Sequence, residues 1–193
     1  MRILELELCN ICQYKHIKVS FNEGLTAIVG PNGSGKSNLL NAAYTGITGD
    51  FSRFELSRQG LVCQYAKKGV PSSIRVLMEH LGVKAQITRT IAPSSSRELK
   101  INDQTYTAEK DVIRKIEEWF GLPIKVIGEY IFVEQWQMFS MLNSQPSERA
   151  KDLYKLFNLN KAEICYSTVN ERLQHFNSLN KESTLDTASI SSR

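Results

Sequence analysis

An α/β fold is predicted by three features of the sequence. Gly30-Pro31-Asn32-Gly33-Ser34-Gly35-Lys36-Ser37 fits the pattern G-x-x-x-x-G-K-[ST] at every fixed position. The apolar, β-prone run Leu25-Thr26-Ala27-Ile28-Val29 precedes it, and Asn38 to Tyr44 follows with Leu39, Leu40, Ala43 and Tyr44 on the spacing of one helical face. Elsewhere, period-2 alternation broken by turn residues marks several short strands, which read as an antiparallel flank on the sheet that carries the loop.

The octet has a direct chemical reading. Glycines at 30, 33 and 35 let the backbone curl until successive N–H groups point inward, at the positive end of the following helix. Such a nest holds phosphate oxygens. Lys36 is expected to reach the β- and γ-phosphates, and the Ser37 hydroxyl to ligate Mg²⁺. The expected nucleotide-binding residues are therefore Asn32, Gly33, Ser34, Gly35, Lys36, Ser37 and Asn38.

Size and composition set wider bounds. With 193 residues and a hydrophobic share of 41%, the chain holds one α/β core, or a core with an appended arm. No apolar run approaches the ~20 residues of a membrane span, and Met1-Arg2-Ile3-Leu4-Glu5 does not read as a signal peptide. A cytoplasmic location is expected, nuclear in a eukaryote, with no membrane partner. A net charge of +4, from 24 basic and 20 acidic residues, permits a nucleic-acid partner without requiring one. The four cysteines stand at 9, 12, 63 and 165. Cys9 and Cys12 form a C-x-x-C with His16 nearby, but a closed zinc site needs a second pair of ligands, and Cys63 and Cys165 stand apart. They read as buried or half-buried cysteines of a strand end.

In chain order, Arg2 to Leu8 sets Ile3, Leu4, Leu6 and Leu8 against Glu5 and Glu7, and Ile17 to Phe21 repeats the alternation. Asn22-Glu23-Gly24 turns into the run before the loop. From Gly46 to Gly69 no regular structure is assigned. Phe51, Phe54 and Tyr65 there read as aromatics capping the core, while Arg53, Arg58, Lys67 and Lys68 are the first candidates for contact with nucleic acid. Ser73 to Leu81 and Lys84 to Ile91 predict a hairpin at Gly82, and Glu98 to Ile101 with Gln104 to Tyr106 a second around Asn102-Asp103. Thr107 is expected to cap a helix over 108–120, ended by Gly121, with Val112, Ile113, Ile116, Trp119 and Phe120 as its apolar stripe. Val126 to Val133 predicts a further strand, running into Glu134-Gln135. Pro146 suits the first turn of a helix with Ala150, Leu153, Tyr154 and Phe157 on its inner face. From Ala162, Tyr166, Val169, Leu173 and Phe176 follow the spacing of a coiled-coil seam for barely two heptads, and the Ser- and Thr-rich tail from Lys181 reads as disordered.

With those segments in place, the chain resembles the N-terminal ATPase lobe of the SbcC branch of the SMC-like coiled-coil ATPases, the DNA-repair family also called Rad-fifty. Residues 1 to about 180 match in order. Asn10-Ile11-Cys12-Gln13-Tyr14 is similar to the family's turn after the first strand, and Phe21-Asn22-Glu23-Gly24-Leu25 to its approach to Gly30. Thr88-Arg89-Thr90 and Leu99-Lys100-Ile101-Asn102 resemble its β-subdomain. Ile131-Phe132-Val133-Glu134-Gln135 is similar to its Q-loop, followed by Pro146-Ser147-Glu148-Arg149-Ala150. The resemblance implies an ABC-ATPase-like P-loop NTPase N-terminal lobe with an antiparallel β-subdomain over 1–160, the start of a coiled-coil helix over 161–180 and a tail over 181–193. It implies Mg-ATP as ligand, Lys36 and Gln135 as catalytic residues, and Ser37 and Gln135 on the metal.

Two departures accompany that resemblance. Cys12 stands where many relatives carry a basic residue, with only Lys15 nearby. No Ser-Gly-Gly signature, no apolar run ending in Asp-Glu and no downstream His loop occurs in the sequence; in this family those lie in a C-terminal lobe beyond the arm. The resemblance thus implies half an active site, completed by a C-terminal lobe in cis or trans, with a head-to-head dimer, a nuclease subunit and weak, non-specific DNA contact as further partners. A small P-loop kinase, with Glu134 as its Mg²⁺ carboxylate, is one rival reading, although paired lid arginines are wanting. A non-catalytic interaction module with a vestigial loop is another. A GTPase is disfavoured because Asn160-Lys161-Ala162-Glu163 and Asn180-Lys181-Glu182-Ser183 both lack the aspartate of N-K-x-D.

Overall fold

Alternation in the first twenty residues is realised as a tight hairpin. β1 (Arg2–Ile11) and β2 (Tyr14–Ser20) run antiparallel, and the last pair, Ile11 and Tyr14, leaves only Cys12 and Gln13 in the turn. The computed structural model describes residues 1–54, 57, 60–66, 69–133, 145–147, 154 and 164–178. The chain divides into Met1–Val133 and Glu134–Arg193.

Six strands form one sheet in the order β2-β1-β3-β4-β5-β6, every neighbouring pair antiparallel. β3 (Ser72–His80) and β4 (Val83–Ala92) are the first expected hairpin, β5 (Ser96–Ile101) and β6 (Gln104–Tyr106) the second. Register carries the core across the sheet: Leu6 faces Val76, Val76 faces Ile87, and Ile87 faces Leu99. All four are buried, with Leu8, Ile74 and Met78 beside them. Burying one such aliphatic side chain stabilises the fold by about 1.5–3 kcal/mol, so this row fixes which face of the sheet is inward.

Two helices cover that face. α1 (Lys36–Thr48) buries Leu39, Ala42, Ala43, Tyr44 and Ile47. Leu40, expected on the same stripe, is exposed, because the buried face turns toward Ala42 and Ala43. α2 (Glu109–Phe120) buries Val112, Ile116 and Phe120 and ends at Gly121, which is left-handed and donates its N–H to the Glu117 carbonyl. Its N-cap is Ala108, without a side-chain cap bond, rather than Thr107.

Arg89 occupies a place on the inner face because β4 pairs it with Ile74. Its cost there is met by partners. Nε donates to the Gly46 carbonyl at 2.9 Å, at the negative end of α1, and Nη1 lies 3.2 Å from Glu109 at the start of α2.

Two expected strands are absent. Val126 to Ile131 is helical instead, as α3 (Ile124–Val126) continued by a π-helical turn over Ile127–Ile131, and Phe132 and Val133 are in no regular element. Val126 and Ile127 are buried, so the apolar run serves the core without joining the sheet, a case where periodicity alone does not separate strand from buried helix. Leu25 to Val29 has no ladder partner among the described residues, and Leu25 and Val29 are 98% and 91% exposed. A strand exists only through hydrogen bonds to a neighbour. Local β-propensity is not enough.

In the second unit, residues 164–178 form a helix, α4, on which Tyr166, Val169, Leu173 and Phe176 are all exposed. Residues 146–147 are helical, and Tyr154, expected on an inner face, is 41% exposed. Ala150, Leu153, Phe157 and the tail from Lys181 lie outside the described residues.

Candidate nucleotide site

The loop between Gly30 and α1 is shaped by two glycines. Gly33 (φ 78) and Gly35 (φ 95) are in the left-handed region, where a Cβ is strained. Between them the Ser34 N–H reaches back to the Pro31 carbonyl at 3.3 Å, which closes the curl. Gly35 is the N-cap of α1, with no side-chain cap bond, and no acidic residue stands in the first turn. The amides that open the helix are therefore uncapped by side chains, and the helix dipole adds a positive field at the same point. Such an end is suited to an anion.

Lys36, in the first turn of α1, folds its ammonium toward the start of the loop, where Nζ donates to the Gly30 carbonyl at 2.9 Å and the Pro31 carbonyl at 2.7 Å. Ser37 and Asn38 follow on that turn, and Asn32, Gly33 and Ser34 form the exposed tip. The structure thus gathers Asn32 through Asn38 around one helix start. Gln135 lies outside the described residues, as do Glu134, Arg58, Lys67 and Lys68.

Sequence reasoning missed two neighbours of the loop. From the β1–β2 turn, Gln13 Oε1 accepts from Asn38 Nδ2 at 3.1 Å, and the Tyr14 hydroxyl donates to the Ser34 carbonyl at 3.3 Å. The sequence places both residues in the turn after the first strand but gives no signal of these contacts, which span 25 and 20 positions of chain. Burial, opposed by a hydrogen bond from Gln13, raises the Tyr14 phenol above its ordinary pKa and keeps it a donor.

Arg53, half-buried, is engaged within the fold. Its Nη2 donates to the carbonyls of Gly128 at 2.9 Å and Phe132 at 2.7 Å, and the guanidinium lies 3.8 Å over the Tyr44 ring. Phe51 packs on the core and Phe54 is buried, as expected of core-capping aromatics, while Tyr65 is exposed at 72%. Cys9 and Cys12 are half-buried at the end of β1, and burial, with Cys63 nearby, pushes the Cys12 thiol up. His16 pairs with Glu7 at 2.9 Å. Among the described residues no three His, Cys, Asp or Glu side chains group to hold a metal.

A glycine-curled loop opening a helix beneath an antiparallel sheet is the architecture of an ATPase lobe, and the chain belongs to the AAA domain family, whose match covers residues 5–189. Its similar proteins are narrower in kind. It is 24% identical over 91% of its length to the DNA double-strand break repair Rad50 ATPase of Methanocaldococcus jannaschii, and 28% over 84% to that of Methanosarcina mazei. To the SbcC component of the nuclease SbcCD of Deinococcus radiodurans it is 25% identical over 79%. These matches carry the resemblance to the SbcC and Rad50 branch. The chain spans only 17%, 16% and 18% of those proteins. Among solved structures, the SMC head domain from Thermotoga maritima aligns with 60% of this chain and 42% of its own at a TM-score of 0.46 and 22% identity. No helix among the described residues is long and apolar enough to cross a membrane.

Proposed function

We propose that this chain is the ATP-binding half of a DNA double-strand-break repair ATPase. The observation that carries the reading is the uncapped start of α1, at which Gly33, Gly35 and Lys36 converge. In this reading the loop amides hold the phosphate oxygens of ATP, and Lys36 exchanges its two carbonyl partners for the β- and γ-phosphates. The Ser37 hydroxyl and the Gln135 amide oxygen are hard donors suited to Mg²⁺. When bound, Mg²⁺ neutralises developing phosphate charge. Gln135 also orients the surroundings of the attacking water. Hydrolysis requires a signature loop and an acidic pair absent from this sequence, so turnover by the chain alone is negligible.

A completing C-terminal lobe, in cis or trans, is supported by the exposure of Leu25 and Val29 on a β-prone run that lacks a ladder partner among the described residues. In the same reading α4 roots a coiled-coil arm, and the chain works as a head-to-head dimer with a nuclease partner and weak, non-specific DNA contact in a cytoplasmic or nuclear setting; the nuclease partner is supported by the similarity to a subunit of the nuclease SbcCD. Titration of labelled Mg-ATP against wild type and Lys36→Ala tests the reading. Loss of binding in the variant is expected; equal affinity in both sinks the assignment. Robust ATP turnover by the isolated chain transfers the argument to a small kinase.

A further inference from the structure

Gly33 and Gly35 give the phosphate loop its curl, and they also give it freedom. A glycine-rich segment visits many backbone states, and each state with scattered amides weakens anion binding. Something must hold the productive form. Capping does not, because Gly35 has no side-chain cap bond.

The β1–β2 turn stands in that role. Tyr14 Oη donates to the Ser34 carbonyl just before the helix start, and Gln13 Oε1 accepts from Asn38 just after it. Between them the fit is close: a Cβ on Gly35 would fall 1.2 Å from Gln13 Nε2 and 2.7 Å from Tyr14 Oη. The turn itself is short and tied down. It has two residues, closed by the Ile11–Tyr14 pair, and the Cys12 N–H is tied to the Leu61 carbonyl at 2.7 Å.

We propose that Gln13 and Tyr14 are positioning residues of the nucleotide site, which brace Ser34, Gly35 and the first turn of α1 from the sheet and so set affinity for the polyphosphate end of the ligand. The inference rests on the Mg-ATP reading above and deepens it. Because both bonds end on the loop and the helix start, their effect is the same for any ligand that carries the phosphates, with or without a nucleoside.

Calorimetric titration of the 193-residue chain with Mg-ATP and with Mg-tripolyphosphate tests this, using wild type, Gln13→Ala, Tyr14→Phe and Lys36→Ala. Each bracing variant loses one hydrogen bond, so Kd rises roughly 3- to 10-fold for both ligands alike. Thermal midpoints stay near wild type, and amide exchange across 33–37 becomes faster. Unchanged Kd and unchanged exchange in Gln13→Ala and Tyr14→Phe, with binding lost in Lys36→Ala, overturns the brace and leaves the ATP reading standing. A loss confined to ATP also overturns it, in favour of a nucleoside contact. Full binding by Lys36→Ala overturns the ATP reading itself.

Discussion

Replacing Arg53 by alanine separates a structural guanidinium from a nucleic-acid contact. Its two bonds to the Gly128 and Phe132 carbonyls are charge-assisted, each worth about 1.5–3 kcal/mol when shielded. Its place over the Tyr44 ring adds about 0.5–2 kcal/mol. Those ranges bound the loss from above. Arg53 is half-buried and lines a cavity of about 320 Å³ with Tyr44, Asp50 and Gly128, from which water can reach the orphaned Gly128 carbonyl. The net loss is therefore about 2–4 kcal/mol, a fall in Tm of roughly 4–16 °C for a chain of this size. Arg53→Lys keeps the charge but loses the planar guanidinium that stacks on the Tyr44 ring while one of its nitrogens, Nη2, serves both carbonyls, so it recovers only part of the loss. Circular dichroism gives the midpoint, and duplex-DNA titration at several salt concentrations gives the electrostatic slope. A midpoint within about 1 °C of wild type, together with a salt slope smaller by about one charge, would refute the structural role.

Other expectations follow from single contacts. In Gly46→Ala the new Cβ would lie 2.5 Å from Val76 Cγ2 and 3.0 Å from Ile74 Cγ2, both buried side chains of β3. Overpacking of about 1–3 kcal/mol then outweighs a helix-propensity gain of about 1 kcal/mol, and a lower urea midpoint is expected; a higher one contradicts the packing. Burial opposes the Asp50 carboxylate, but hydrogen bonds from Tyr44 and Ser52 and the charge of Arg53 outweigh it and hold its pKa below the ordinary value. That stabilisation is whole above the unfolded carboxyl pKa near ~3.9 and is lost as pH falls through the lower folded value. Asp50→Asn should consequently lower stability at neutral pH and flatten the acid limb below about pH 4. In α4, where Tyr166, Val169, Leu173 and Phe176 are exposed, fast amide exchange is expected in the isolated chain, slowed by a C-terminal lobe or nuclease partner. Strong protection in the monomer counts against an arm.

Much of this fold is legible because its signals are local. Period-2 alternation sets the hairpins of β1–β2, β3–β4 and β5–β6, since a one-residue slip would turn Leu6, Val76 and Ile87 to solvent. The glycine loop before α1 is legible for the same reason: its glycines and Lys36 act within eight positions of chain.

What depends on a distant partner is not written in any window. The apolar run at 126–133 meets the helical criterion as well as the strand one, and packing of Val126 and Ile127 into the core decides for helix. Leu25 to Val29 has the composition of a strand, yet no neighbour among the described residues pairs with it. Arg53 shows the same limit in a charge: among polar residues it looks like a surface cation, and only the approach of Gly128 and Phe132, across 75 and 79 positions, makes it a strut. The sequence by itself determined the glycine loop at the start of α1 and the pairing of the hairpins, because backbone preference and side-chain alternation act between near neighbours. Tertiary structure alone decided that Gln13 and Tyr14 meet the loop and that Arg53 turns inward, because hydrogen bonds of that length in chain exist only after the sheet has brought their ends together.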